Sequence, residues 1–376
     1  MARPLTVLQL LPALEAGGVE RSTIEVSAAL VRAGHRALVA SAGGRLLPAL
    51  RAAGAEHLEL DLGRKSLATL RLVRPLRRLL QEQGVDIVHA RSRLPAWIAW
   101  RALGGLPAQE RPRFVTTVHG LNSPSRYSQV MLRGERVVCV SATVREYVLR
   151  NYPATDPARL RVIPRGIDPA SFPRAPLPDP AARAAAAARE PALGGEGPLL
   201  LLPGRGTRLK GHADALRLLA SLRAGGCDAR LWMPGARDAA RAAYAGELGA
   251  LARSLGIDAA VALTPPTDAI AAAYAASDLV LQLSRRPEAF GRTVVEASAV
   301  GRPVLGWDHG GVGELLRELQ PGNAVPPFDE AGLRRRAAEL LARAGALPAT
   351  IPAQVPDRYS LRSMQDATLR VYDELR

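Results

Sequence analysis

Two glutamates, Glu288 and Glu296, stand eight positions apart in the stretch SRRPEAFGRTVVEASAVGRPVLGWDHGG, residues 284–311. In one continuous helix, eight steps of about 100° would leave them about 80° apart, a poor geometry for a shared catalytic pair. The spacing fits better if Glu288 lies on a loop and Glu296 inside the helix that follows. The first backbone N–H groups of such a helix, from Phe290 and Gly291 to Arg292 and Thr293, have no intrahelical partner and mark its positive end. That is an anion site. Glu288 would sit beside it to hold a sugar hydroxyl, and Glu296, about a turn and a half inside, could accept from ribose hydroxyls.

A second group lies in LLLLPGRGTRLKGH, residues 199–212, where an apolar run passes through a glycine-rich turn into a helical pattern. Arg205 and Lys210, five apart, form a compact cationic clamp suited to a diphosphate. Only two of the 50 basic residues are lysines, Lys65 and Lys210, so a lysine at this position stands out against an arginine-rich background. Near the start of the chain, Gly17 and Gly18 fall between an apolar run and a helical pattern. Missing side chains there permit close backbone approach to a phosphate. The pattern is not G-x-G-x-x-G, and no acidic residue ends the second strand, which argues against a nicotinamide cofactor. His119 closes the run RFVTTVHG, where a histidine can bond a sugar hydroxyl or stabilise developing charge. His89 closes the run before it.

The elements that must position these residues follow from periodicity. Strands are expected at 5–11, 36–41, 55–60, 85–90, 113–120, 136–141 and 160–164, with helical segments at 20–33, 66–83, 93–103 and 141–151. After an interval rich in Pro and Ala the rhythm restarts, with strands at 199–204, 229–235, 260–264, 278–284 and 302–307. Such alternation predicts α/β architecture, with helices wrapped on parallel sheets. We expect two doubly wound, Rossmann-like domains facing a central cleft, with ligands beyond the carboxyl ends of the strands. The expected boundaries are 1–168 for the first domain, 169–198 for a linker, and 199–357 for the second domain. A C-terminal helix at 358–376, with Leu361, Met364, Leu369 and Tyr372 near one face, should pack back on the first domain.

Composition bounds the alternatives. The 376 residues are 48% hydrophobic, enough for two buried cores. No run is long and apolar enough to span a bilayer, and the first residues lack a cleavage site, so the expected location is the cytoplasm. Cys139 and Cys227 do not suggest a disulfide framework. The net charge of +15 raises nucleic acid and anionic membrane as partners. Aromatics at 4% and the lack of a known binding motif speak against nucleic acid. The segment 64–83 is basic, and 93–106 adds Trp97 and Trp100, a combination suited to peripheral contact with an anionic membrane face. There is no Asp-x-Asp, no His/Cys/Asp cluster with metal-ligand spacing, and neither a Walker loop nor Gly-x-Ser-x-Gly. We therefore expect no metal and no cofactor.

Taken together these motifs resemble the retaining glycosyltransferases of family four, which have the GT-B fold. The resemblance is carried by Gly17-Gly18-Val19-Glu20-Arg21, His119, Arg205 with Lys210, and Glu288-x7-Glu296. It is carried also by RVIPRGID at 161–168 and by GRPVLGWDHGG after the double-glutamate helix. It implies that Arg205 and Lys210 bind the donor diphosphate, that Gly18 approaches it, and that Glu296 holds the ribose. Glu288 with the Phe290–Thr293 backbone would hold the transferred sugar, and His119 would act near it with a catalytic role. Arg165 replaces the usual Asn before Gly-x-Asp, Thr264 stands where a glycine is common, and Ala289 follows the first glutamate in place of Gly. The implied reaction moves a sugar, from a UDP-sugar in preference, to an acceptor hydroxyl with retention and without a metal. Similarity to envelope-building members implies a glycolipid acceptor such as a lipopolysaccharide core intermediate. The alternatives are an epimerase-like relative with the same cleft and, less well supported, a basic nucleic-acid-binding protein.

Overall fold

The structure, a computed structural model, describes residues 3–15, 17–64, 66–175, 177–238, 241–342, 351–352 and 354–376. The chain divides into two compact units. One comprises residues 1–166 with 361–376, and the other residues 167–360.

Seven short strands build the first unit: β1 (Thr6–Leu10), β2 (Arg36–Ser41), β3 (Glu56–Glu59), β4 (Ile87–Ala90), β5 (Arg113–Val118), β6 (Arg136–Cys139) and β7 (Leu160–Val162). All pair in parallel in the order β3-β2-β1-β4-β5-β6-β7. Strands buried on both faces read as near-continuous apolar runs, as in the fully buried IVHA of β4. The crossovers carry α1 (Gly18–Arg32), α2 (Leu47–Ala52), α3 (Val73–Glu82), α4 (Arg93–Leu103) and α5 (Ala142–Asn151). The segment expected as one helix over 66–83 divides, with a 3-10 turn at Leu67–Leu72 ahead of α3. Pro75 explains the join: without an N–H it fits only the first turn of an α-helix.

The second unit holds β8 (Leu199–Leu201), β9 (Arg230–Pro234), β10 (Val261–Thr264), β11 (Leu279–Gln282), β12 (Val304–Trp307) and β13 (Ala324–Val325), all parallel, in the order β10-β9-β8-β11-β12-β13. Its helices are α6 (Pro180–Arg189), α7 (His212–Ala224), α8 (Ala242–Ser254), α9 (Ile270–Ala276), α10 (Arg292–Val300), α11 (Gly310–Leu319) and α12 (Glu330–Ala342). The interval expected as a linker, 169–198, is folded into this unit. Asp179 accepts from the N–H groups of Ala181 and Ala182 and starts α6, with Pro180 in the first turn. α6 packs on α9, and Ala186 and Leu193 are buried with Leu199, Ala262 and Ala276. Alanine supplies both the helix propensity and a small apolar face, so a low-complexity stretch became a packed element.

The chain returns to the first unit through α13 (Leu361–Asp373). Met364, Thr368, Val371 and Tyr372 recur at helical spacing and are buried, while Leu361 and Leu369 are partly buried against the same core. Gln365 donates to the carbonyl of Glu25 and accepts from Arg32, tying α13 to α1.

In each sheet the strand order reverses once, between β1 and β4 and between β8 and β11. Ligands of doubly wound sheets bind at such switch points, outside the carboxyl ends of the strands. The loops that leave β1 and β4, and those that leave β8 and β11, carry most of the residues singled out above.

Candidate functional site

In the second unit the loop after β8 turns at Gly211, whose φ of 75° is left-handed. A Cβ there would meet the carbonyl oxygen of Leu283 at 2.0 Å. Glycine therefore lets this loop press against the end of β11, and Arg285 N–H donates to the Leu209 carbonyl at 2.8 Å to seal the contact. The consequence is chemical. Lys210 and the loop after β11 are brought together, and its Nζ lies 2.6 Å from Glu288 Oε1. Both groups are half-buried. Ser284, buried at the end of β11, also donates its hydroxyl to Glu288. Arg205 is exposed and has no side-chain partner among the described residues, so its guanidinium is unengaged where Lys210 is paired.

Glu288 is indeed on a loop and Glu296 within α10, which begins at Arg292. Gly291 occupies the cap position with φ 110°, and no side chain caps the helix there. The backbone around Glu288 is held from below by Gly310 and Gly311. Cβ atoms on them would meet the Glu288 and Phe290 carbonyl oxygens at 2.6 and 2.5 Å. Gly311 N–H donates to the Glu288 carbonyl at 2.7 Å. Phe290 is buried, its ring 6.1 Å from that of Tyr359, so only its backbone can face a ligand. Arg292 and Thr293, in the first turn, are partly exposed.

Glu296 is only 7% exposed, and its two oxygens are engaged within the protein. Oε1 accepts from Arg292 Nε at 2.9 Å, and Oε2 from the Tyr274 hydroxyl at 2.9 Å. Burial, reinforced by the Glu296 charge, raises the Tyr274 phenol well above its ordinary value, so Tyr274 is a permanent donor. Thr264, the departure from glycine, accepts from Trp232 Nε1 at 3.0 Å and so braces the end of β10.

In the first unit Gly17, with φ 146°, precedes α1, and Gly18 is its first residue. Glu20 lies in the first turn, and a Cβ on Gly17 would meet its Oε2 at 2.6 Å. A cavity of about 330 Å³ opens beside them, walled by Val19, Glu20, Arg91, Arg93, His119 and Asn122. Arg91 is 3% exposed and donates to Gln9 Oε1 at 2.9 Å and to Ser22 Oγ at 2.7 Å; burial pushes it down to about 10. His119 Nδ1 lies 2.7 Å from Arg165 Nη2, while its Nε2 is shut off from solvent without a partner. Burial, then Arg165, Arg91 and His89, depress the His119 imidazole well below its usual range. His89 has both ring nitrogens engaged, by the Tyr372 hydroxyl and by Thr117 Oγ1, each at 2.7 Å. It ties α13 to the sheet and is structural.

The geometry thus joins Lys210 to Glu288, and it seats Gly17, Gly18 and His119 around the end of the first sheet. Ser284, Tyr274, Arg165 and Arg91 were not anticipated as partners. Their signal lies in distant pairings that spacing does not encode. Lys65 lies outside the described residues.

Residues 16–171 match the family model Glycosyltransferase Family 4, and residues 186–349 match Glycosyl transferases group 1. Both halves of the chain thus match glycosyltransferase models. A curated relative, the D-inositol 3-phosphate glycosyltransferase of Rhodococcus jostii strain RHA1, is 30% identical over 251 residues, 65% of this chain and 53% of the relative. The chain spans about half the length of the curated relatives it matches. A glycosyltransferase from Rickettsia africae ESF-5 superposes over 100% of this chain and 99% of its own, with a TM-score of 0.86 and 28% identity. The Anabaena protein Alr3699/HepE, solved in complex with UDP and glucose, matches over 98% and 99% with a TM-score of 0.80 and 20% identity, a likeness of fold alone. The two Rossmann-like units of the chain are those of the GT-B fold.

Proposed function

We propose that the chain transfers a sugar from a nucleotide diphosphate sugar, UDP-linked in preference, to an acceptor hydroxyl with retention of configuration. The observation that carries this reading is the Lys210–Glu288 ion pair beside the uncapped start of α10. One cation, one carboxylate and a helix N-terminus together suit the phosphate and hydroxyls of such a donor. Arg205 and Lys210 would bind the diphosphate with the backbone from Phe290 to Thr293. Glu288 would hold the transferred sugar and Glu296 the ribose. From the first unit, Gly17, Gly18 and His119 would serve the same reaction. The Anabaena neighbour, solved with UDP and glucose bound, supports UDP as the carrier.

The bond from the anomeric carbon to the diphosphate oxygen breaks, and the acceptor oxygen bonds to that carbon on the same face. The acceptor proton passes to the departing phosphate oxygen. The Lys210 and Arg205 charges and the α10 N–H groups stabilise the diphosphate as it leaves. This reading needs no metal. Among the described residues no group of three or more His, Cys, Asp or Glu is placed to hold one.

The acceptor in this reading is a glycolipid of the lipopolysaccharide-core type at an anionic membrane face. Trp97 and Trp100 meet edge to face at 5.4 Å, Tyr127 stacks on Trp97, and Arg93, Arg101 and Arg133 lie over these rings. Half-exposed aromatics ringed by guanidinium groups suit a headgroup layer. No described helix is long and apolar enough to cross a membrane. A second reading, a phosphorylated polyol acceptor, is favoured by the likeness to the Rhodococcus D-inositol 3-phosphate glycosyltransferase. Titration of UDP- and GDP-sugars with and without EDTA, with mass and anomeric analysis of the products from each acceptor class, tests all parts. Retained product with EDTA supports the reading. Sugar release or epimerisation without an acceptor overturns it, and failure to bind anionic liposomes at low salt removes the membrane part.

A further inference from the structure

His119 Nε2 is a buried polar atom without a partner, and His119 lines the cavity of the first unit. What that atom can do is decided on the other side of the ring. Arg165, which follows β7, is 9% exposed and places Nη2 2.7 Å from His119 Nδ1. Its Nη1 rests 3.9 Å from the sulfur of Met364 on α13, which anchors the guanidinium. An arginine side chain carries five N–H donors, no acceptor, and a charge it keeps at every accessible pH. Nδ1 must therefore offer its lone pair, and the proton of a neutral imidazole goes to Nε2.

We infer that Arg165 is a positioning residue that fixes His119 as a neutral imidazole protonated on Nε2, so that this nitrogen can serve a sugar ligand only as an N–H donor and never as a base. The identity of the ligand rests on the glycosyl-transfer reading; the state of the ring does not. Every charged or titratable neighbour that acts on the ring disfavours a second positive charge: Arg165 beyond β7, Arg91 beyond β4, and His89 on β4. Glu20, on α1, lines the same cavity. An amide side chain at position 165 could turn either its N–H or its carbonyl toward Nδ1 and would leave the tautomer open. Arginine removes that choice.

The test is imidazole nitrogen NMR on the 376-residue chain, which has six histidines, with His119 assigned from His119→Gln. The expected spectrum shows His119 with an unprotonated Nδ1 and a protonated Nε2, unchanged between about pH 8 and 5.5. An Nδ1–H or imidazolium signal in that range overturns the inference, and this measurement needs no Arg165 variant to fold. In Arg165→Met the ring should show both tautomers and begin to titrate, and kcat/KM should fall about tenfold with a new acidic limb. Arg165→Lys, which keeps a cationic donor, should restore the single tautomer and most of the rate. A donor role also predicts that His119→Gln, with an amide N–H, keeps more activity than His119→Leu. Equal loss in both, with the glutamine variant folded, counts for a base and against the inference. If no nucleotide sugar is turned over by the wild type, the glycosyl-transfer reading fails while the spectrum still decides the role of Arg165.

Discussion

Lys210 Nζ and Glu288 Oε1, 78 residues apart in the chain, meet at 2.6 Å across the loops that leave β8 and β11. As a half-buried pair they contribute only about 1 kcal/mol to folding. Their value is positional, since each can exchange the other for a phosphate or a sugar hydroxyl. Lys210→Ala should reduce kcat/KM about 1,000-fold, as expected when a preorganised donor to a developing charge is lost. Glu288→Ala should do the same, and Glu288→Gln, which keeps an acceptor and adds an N–H, less. Thermal melting of all three should stay near wild type. Turnover near wild type in either alanine variant would sink the assignment.

Tyr274→Phe removes the hydroxyl that donates to Glu296 Oε2 in a buried setting. Loss of a buried hydrogen bond to a charged acceptor costs about 1.5–3 kcal/mol, which urea unfolding would register. If Glu296 also receives the ribose, the KM for the nucleotide sugar rises while kcat changes little. A donor KM equal to wild type in a folded Tyr274→Phe variant would confine Glu296 to a structural role.

Histidines make the stability of the chain acid-sensitive. His212, fully buried at the start of α7, has its imidazole pushed down by burial from an ordinary 6.5 to about 4. A group that folding makes harder to protonate contributes its full stability above its unfolded value and loses it as pH falls towards the folded one. The loss for His212 alone is about 3 kcal/mol between pH 6.5 and about 4. His89 and His119, also depressed by burial, act with the same sign. Unfolding free energy should fall through that window, and His212→Leu should flatten the slope. An unchanged slope in the variant would exclude His212 as a source.

Much of the frame was legible in the chain itself, because fully buried parallel strands must be apolar runs and their crossovers must show helical periodicity. The rarity of lysine drew attention to Lys210, and the loop-to-helix placement of Glu288 and Glu296 followed from their poor angular relation in one helix. What escaped is tertiary. Glu296 depends on Tyr274, 22 residues away, and His119 on Arg165, 46 residues away, and neither spacing has a local signature. The interval 169–198 read as a linker because Ala and Pro dominate it. Its apolar face becomes visible only when α9 lies against it.

The C-terminal helix gives a last test. Met364, Val371, Tyr372 and Leu375 are all buried in the core formed by Leu5, Val7, Val26 and Ile87. The Tyr372 hydroxyl bonds His89, and Gln365 bonds the backbone of α1. Burial of a large apolar side chain is worth about 1.5–3 kcal/mol, so four approach the whole stability of an ordinary domain, about 5–15 kcal/mol. A chain ending at Ser360 should therefore lose hydrogen-exchange protection in β1 and β4. Protection in β8 and β11 should persist, since the second unit has its own core from Leu200 to Leu340. Tyr372→Phe, which removes only the partner of His89 Nδ1, should cost about 1–2 kcal/mol and leave the protected set unchanged. Full protection of β1 in the shortened chain would show that α13 merely rests on the first unit.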